Sequence, residues 1–231
     1  MGKLLSFVTV LALAGCSAAP APPPEATPPV VRVSAPEVPA DAAIIVAFGD
    51  SLTAGLGLAP EDNYPSLLQN SLLEQGFPYR VINEGVSGDT SASALARVDT
   101  AASEHAELAL IAIGANDGLR GLPIDEMEKN LREIVKRFAA AGSQVALAGM
   151  RIPPNMGPEY VQDFEAVFPR VAQDMEIPLL PFLLEGVAAD PNLNQDDGIH
   201  PNEEGARMVA KLVADFVKPL LRRREKKAET E

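Results

Sequence analysis

Ser51 stands in FGDSLTAG, residues 48–55, directly after the apolar run AAIIVAF at 42–48. A serine where a strand hands over to a helix is either a helix cap or a nucleophile raised for attack. A nucleophilic serine needs a general base, usually a histidine, and the chain has two, His105 and His200. His105 lies in SEHAEL, before a predicted strand and so at the end of the sheet away from Ser51, where solvation or a helix C-terminal contact is its expected role. His200 follows Asp197 by three residues in QDDGIHPN. A turn of that length lets the carboxylate meet one ring nitrogen while the other faces Ser51, which is the logic of nucleophile, base and orienter.

Three further blocks break from their periodic surroundings: SGDTS at 87–91, GANDGLRG at 114–121 and DDGIHPN at 196–202. Each alone is ordinary turn composition. Together with GDSLTAG they offer donors for the charge that develops on an attacked carbonyl. These are the Ser51 N–H at a helix start, the Gly88 N–H in a loop open to close approach, and the Asn116 side-chain amide. The acidic residues leave a second chemistry open, since Asp50, Asp117, Asp196, Asp197 and His200 are enough ligands for a metal on paper. The absence of an H-x-x-x-H pattern or a cysteine pair argues against a transition-metal site, and Asp50 is expected to brace the turn.

These residues must be held by elements that end at one edge. Apolar runs at 43–48, 79–82, 107–113, 144–149 and 177–182 read as strands buried on both faces, separated by longer helical patterns. Met127, Leu131, Ile134, Val135 and Phe138 recur at helical spacing behind Pro123, and Val209, Leu212, Val213, Phe216, Val217 and Leu220 behind Pro201. Both read as packing faces. The alternation predicts an α/β domain: a three-layer α/β/α sandwich around a flavodoxin-like five-stranded parallel sheet of order 2-1-3-4-5. Ligands in such sheets bind beyond the carboxyl ends of the strands, near the reversal of strand order. Three of the four unusual blocks directly follow predicted strands.

Ser51, Gly88, Asn116 and His200, each in its own block, resemble the four marker residues of the SGNH (GDSL) hydrolase superfamily. GDSLTAG, SGDTS, NDGLRG, IPLLPF and QDDGIHPN together are similar to the bacterial periplasmic esterases described as arylesterase, lysophospholipase and thioesterase, over almost all of 43–220. The resemblance implies the SGNH hydrolase fold. It also implies Ser51 as nucleophile and oxyanion N–H, Gly88 and Asn116 as the other oxyanion donors, His200 as base and Asp197 as its orienter, with no cofactor and no metal. It further implies a substrate-responsive loop at about 118–123 and an acyl groove walled by that loop and 151–160. Ala115 stands where close relatives often carry glycine.

The termini bear on location. Lys3, the apolar run Leu4–Ala14 and the small residues after it have the order of a secretory signal, too short to span a bilayer. Leu13-Ala14-Gly15-Cys16 resembles a lipobox, so 1–15 is expected to be a lipoprotein signal peptide and Cys16, the only cysteine, the lipidated residue. A soluble export signal cut near Ala18 or Ala19 is the alternative, and a myristoylation pattern at Gly2 and Ser6 leaves the apolar run unexplained. Residues 16–40 form a Pro- and Ala-rich spacer, 41–222 the hydrolase domain and 223–231 a charged tail. Ser17, rather than Asp, beside the cysteine points to the outer membrane.

A net charge of -13 argues against nucleic acid as a partner. The expected protein is a monomeric, periplasm-facing serine esterase acting on a small acyl ester or lysolipid, held to the membrane through the lipid on Cys16. A polysaccharide O-acetyl esterase with the same site is the competing enzyme, and a non-catalytic envelope lipoprotein the competing binding module.

Overall fold

A computed structural model describes the backbone of residues 38–228 and the side chains of 38–221. The signal at 1–15, Cys16 and nearly all of the expected spacer lie outside the described residues. Five strands form one parallel sheet: β1 (Ala43–Gly49), β2 (Tyr79–Gly85), β3 (Leu108–Ala112), β4 (Gln144–Ala148) and β5 (Leu179–Leu180). Their order is β2-β1-β3-β4-β5, as the sequence predicts. The central strands are apolar on both faces because helices cover both, and Ile45, Val46, Ala47, Phe48 and Leu110 are fully buried.

The helices are α1 (Ser51–Ala54), α2 (Tyr64–Glu74), α3 (Ser91–Ala102), α4 (Ala115–Leu119), α5 (Ile124–Ala140), α6 (Pro158–Asp174) and α7 (Glu203–Ala228). The pair α2 and α7 covers one face, and α3, α5 and α6 cover the other, each packed on its neighbour. The two helical faces read from the sequence are core faces: Met127, Leu131, Ile134, Val135 and Phe138 of α5 are buried, as are Val209, Val213, Val217 and Leu220 of α7. Phe138 meets Phe48 edge-on at 5.3 Å, locking α5 to β1.

β1, β3 and β4 lie within one residue of their expected bounds at each end, and two strands differ more. The run 177–182 pairs over only Leu179–Leu180, because Pro178 and Pro181 have no N–H to give the ladder. Their neighbours still hold the edge through Leu147 N–H to Pro178 O at 2.9 Å and Gly149 N–H to Leu180 O at 2.8 Å. Conversely, β2 continues past 82 through polar Asn83 and Glu84 to Gly85, since this edge strand keeps register with β1 up to Gly49. The extension brings SGDTS level with GDSLTAG.

Candidate active site

The turn carrying Ser51 is shaped by the residues before it. A Cβ on Gly49 would lie 2.1 Å from Thr53 Oγ1 and 2.6 Å from the Ala112 carbonyl, so only glycine lets β1 and β3 approach the α1 turn this closely. Asp50 caps α1, its Oδ1 accepting from Leu52 N–H at 3.0 Å. It is fully buried, and among the described residues its Oδ2 has no hydrogen-bond partner. Burial pushes its carboxyl up to about 6, against the opposing pull of the Leu52 N–H. This is the bracing role expected for Asp50, held at an electrostatic cost.

Ser51 Oγ lies 2.8 Å from His200 Nε2, and His200 Nδ1 lies 2.6 Å from Asp197 Oδ2. The acid and base reach this geometry through a tight loop in which Gly198 has φ 69°. Asp197 Oδ1 accepts from Ile199 N–H at 2.9 Å and His200 N–H at 3.0 Å. The His200 backbone N–H and then the bond to its ring hold the Asp197 carboxyl down at about 2, so it is ionised wherever the protein is folded near neutrality. The loop is tied to the nucleophile turn by Gln195, whose Nε2 donates to Leu56 O at 2.7 Å and to Pro201 O at 2.9 Å. Gln195 belongs to the QDDGIHPN block, but nothing in its sequence spacing singles it out.

Gly88 and Asn116 meet through Asp89. Gly88 has φ 86°, and its missing side chain faces open space, the nearest atom to a built Cβ being Arg120 Nη2 at 3.8 Å. Asn116, in α4, donates from Nδ2 to Asp89 O at 3.0 Å, which fixes one amide hydrogen and leaves the other to point elsewhere. Asp117 anchors α4 to the start of α3, with Oδ2 accepting from Ser91 N–H at 2.7 Å and Oδ1 from Ser91 Oγ at 2.6 Å. Arg120 Nη2 donates to Gly88 O at 3.0 Å, and Tyr160 O–H donates to Leu122 O at 2.8 Å, so the expected 118–123 loop is joined to both the Gly88 turn and α6.

The five candidate metal ligands do not converge. Asp117 is occupied by Ser91, Asp197 by the His200 turn, and Asp50 is buried and bonded to the Leu52 N–H. Among the described residues no group of three or more His, Cys, Asp or Glu side chains is arranged to hold a metal ion. His105 is exposed at the end of α3, ahead of β3 and away from Ser51, with φ 50°.

Beside the serine runs an apolar groove of about 470 Å³, lined among others by Leu52, Ala115, Ile152, Phe182, Leu184 and Ile199. Three of its lining residues, Leu52, Ala115 and Ile199, are chain neighbours of Ser51, Asn116 and His200. Its walls differ in part from expectation: Leu119 and 151–154 contribute, but so do Phe182 and 184–189, the irregular segment after β5. At the rim Arg151 lies over the Phe182 ring at 4.8 Å and 3.5 Å from Glu185.

The chain is similar to known proteins over most of its length. The sequence pattern of the GDSL-like lipase/acylhydrolase family matches residues 47–208. The chain is 40% identical over 183 residues to esterase TesA of Pseudomonas aeruginosa, covering 79% of this chain and 91% of that protein. It is 36% identical over 178 residues to thioesterase 1/protease 1/lysophospholipase L1 of Escherichia coli, covering 77% and 84%. A crystal structure of TesA superposes with a TM-score of 0.74 at 39% identity, covering 77% of this chain and 99% of the other.

Proposed function

The chain belongs to the GDSL-like lipase/acylhydrolase family and is an ester hydrolase, and we propose that it works by two-step acyl transfer through Ser51. The observation that carries this reading is the unbroken line of hydrogen bonds from Ser51 Oγ through the His200 ring to Asp197. With Asp197 ionised, the Nδ1–H of neutral His200 is held by the carboxylate and Nε2 is left as an acceptor for the Ser51 proton. Ser51 Oγ attacks the ester carbonyl while His200 takes its proton. The oxyanion is met by the N–H groups of Ser51 and Gly88 and by the free amide hydrogen of Asn116.

Collapse of the tetrahedral intermediate breaks the bond to the leaving oxygen or sulfur, to which His200 returns the proton. Water then repeats the sequence on the acyl-serine, His200 again acting as base, and releases the acid. The steps as written draw on no cofactor.

For substrates we propose aryl esters, acyl thioesters and lysophospholipids, their acyl chain in the apolar groove. The apolar groove supports an acyl chain, the names esterase and thioesterase/lysophospholipase of the two relatives support the ester, thioester and lysolipid classes, and an arylesterase of Vibrio mimicus, 39% identical over 178 residues, supports the aryl esters. The lipobox-like Leu13–Cys16 supports the further proposal of a monomeric, lipid-anchored protein facing the periplasm, probed by the mass of the mature protein with Cys16 intact and with Cys16→Ser. Hydrolysis of p-nitrophenyl esters across a range of acyl lengths, run beside Ser51→Ala, tests the catalytic reading. Turnover should favour chains long enough to enter the groove and vanish in the variant, whereas activity on acetate alone would point to a sugar O-acetyl substrate.

A further inference from the structure

Arg97 of α3 touches no reacting group, yet its contacts lead to every proposed oxyanion donor. Its Nη2 donates to Gly49 O at 2.9 Å, two residues before the Ser51 N–H. Its Nε donates to Asp89 Oδ2 at 2.7 Å, one residue after Gly88. The carbonyl of that same Asp89 orients the Asn116 amide at 3.0 Å. Gly49 O also accepts from Val86 N–H at 3.0 Å, and Val86 O accepts from Asp89 N–H at 3.2 Å, so the Gly88 turn closes on the point that Arg97 grips.

The guanidinium is itself fixed. It lies 4.3 Å over the ring of fully buried Phe48, and its side chain is 22% exposed. Among the described residues Nη1 has no hydrogen-bond partner, and it lies 3.5 Å from Glu84 Oε2. A planar fork presenting Nε and Nη2 in fixed directions can hold a carboxylate and a carbonyl at a set separation, which an ammonium on a flexible stem cannot do.

We propose that Arg97 is a positioning residue that sets the three oxyanion donors relative to one another by joining the Gly49 carbonyl to the Asp89 side chain. The inference rests on the reading of Ser51, Gly88 and Asn116 as those donors. Its functional content is that Arg97 acts on the transition state and leaves ground-state binding in the groove alone, because Arg97 is not among the groove-lining residues.

The test measures kcat and KM on p-nitrophenyl butyrate for the full chain and for Arg97→Ala, Arg97→Lys, Glu84→Gln, Asn116→Ala and the Arg97→Ala/Asn116→Ala double variant. Thermal unfolding is followed for each. A displacement of the donors by about an ångström predicts a kcat loss of about 10²-fold in Arg97→Ala, with KM nearly unchanged. Arg97→Lys should recover part of that loss, and Glu84→Gln should leave kcat within about threefold because its contact is the long one. Since Arg97 and Asn116 serve the same oxyanion, the double variant should lose less than the product of the single losses.

A raised KM at unchanged kcat, or strictly multiplicative losses in the double variant, overturns the inference. If Arg97→Ala does not fold, Arg97→Lys alone decides: full activity overturns the proposal, and a kcat-specific loss in folded protein upholds it. Undiminished kcat in Asn116→Ala would instead overturn the donor reading beneath it, an outcome distinct from a crippled Asn116→Ala beside an unaffected Arg97→Ala.

Discussion

Asp50→Asn should stabilise the protein at neutral pH and do so less, or not at all, in acid. The Asp50 carboxyl is raised from 3.8 to about 6 by burial, with one oxygen bonded to Leu52 N–H and the other without a partner among the described residues. At about 1.4 kcal/mol per pH unit, the ionised form is about 3 kcal/mol less favourable in the folded chain than in the unfolded one. Between pH 3.8 and about 6 the folded state binds the proton that the unfolded state has released. Stability therefore falls as pH rises through that window and stays level above it, so far as this group is concerned. Below 3.8 both states are protonated and the penalty is gone.

Asparagine keeps the Oδ1 cap and removes the charge, but its amide needs an acceptor where Oδ2 has none, at a cost of about 1 kcal/mol at every pH. The change in stability on mutation should thus differ by about 2.4 kcal/mol between pH 4, where the unfolded carboxyl is already partly ionised, and pH 7.5, equivalent to roughly 5–10 °C in Tm for a domain of this size. Urea unfolding of both proteins by circular dichroism at pH 4, 5, 6 and 7.5 measures this directly. A difference that does not vary with pH, or one that favours Asp50→Asn more in acid, would refute the reasoning.

Asn116→Ala should cut kcat by about 10²–10³-fold, or about 3–4 kcal/mol of barrier, with little change in KM on a short ester. Gly49→Ala should lower stability by about 1–3 kcal/mol, read by thermal unfolding, since the new Cβ meets the Ala112 carbonyl at 2.6 Å and backbone must yield. Incubation with EDTA should leave initial rates on p-nitrophenyl butyrate unchanged, and loss restored by a divalent ion would reinstate the carboxylate alternative.

Much of the fold was legible because its signals are redundant. The apolar strands are buried on both faces, and helical periodicity behind Pro123 and Pro201 marks two core faces on its own. Boundaries were less so, for definite reasons: Pro178 and Pro181 shorten β5 although their neighbours remain apolar, and α6 runs through Pro169, a residue that locally reads as a break. The meeting of Ser51, Asp197 and His200 followed from residue types and from the rule that strand ends gather at one edge.

The supporting residues were not legible. Arg97 sits in an unremarkable helical stretch, and its partners Gly49 and Asp89 are 48 and 8 residues away, so no local pattern announces the clamp. The groove wall at 184–189 is illegible for a similar cause, because an irregular segment carries no period to read.

The central claim is that Ser51 carries the acyl group, and the most direct measurement is the location of the covalent adduct after reaction with a fluorophosphonate. Peptide mapping by mass spectrometry should find one phosphonyl group on Ser51, together with complete loss of ester turnover, and no adduct in Ser51→Ala. An adduct on another residue, or wild-type turnover by Ser51→Ala, would contradict the account.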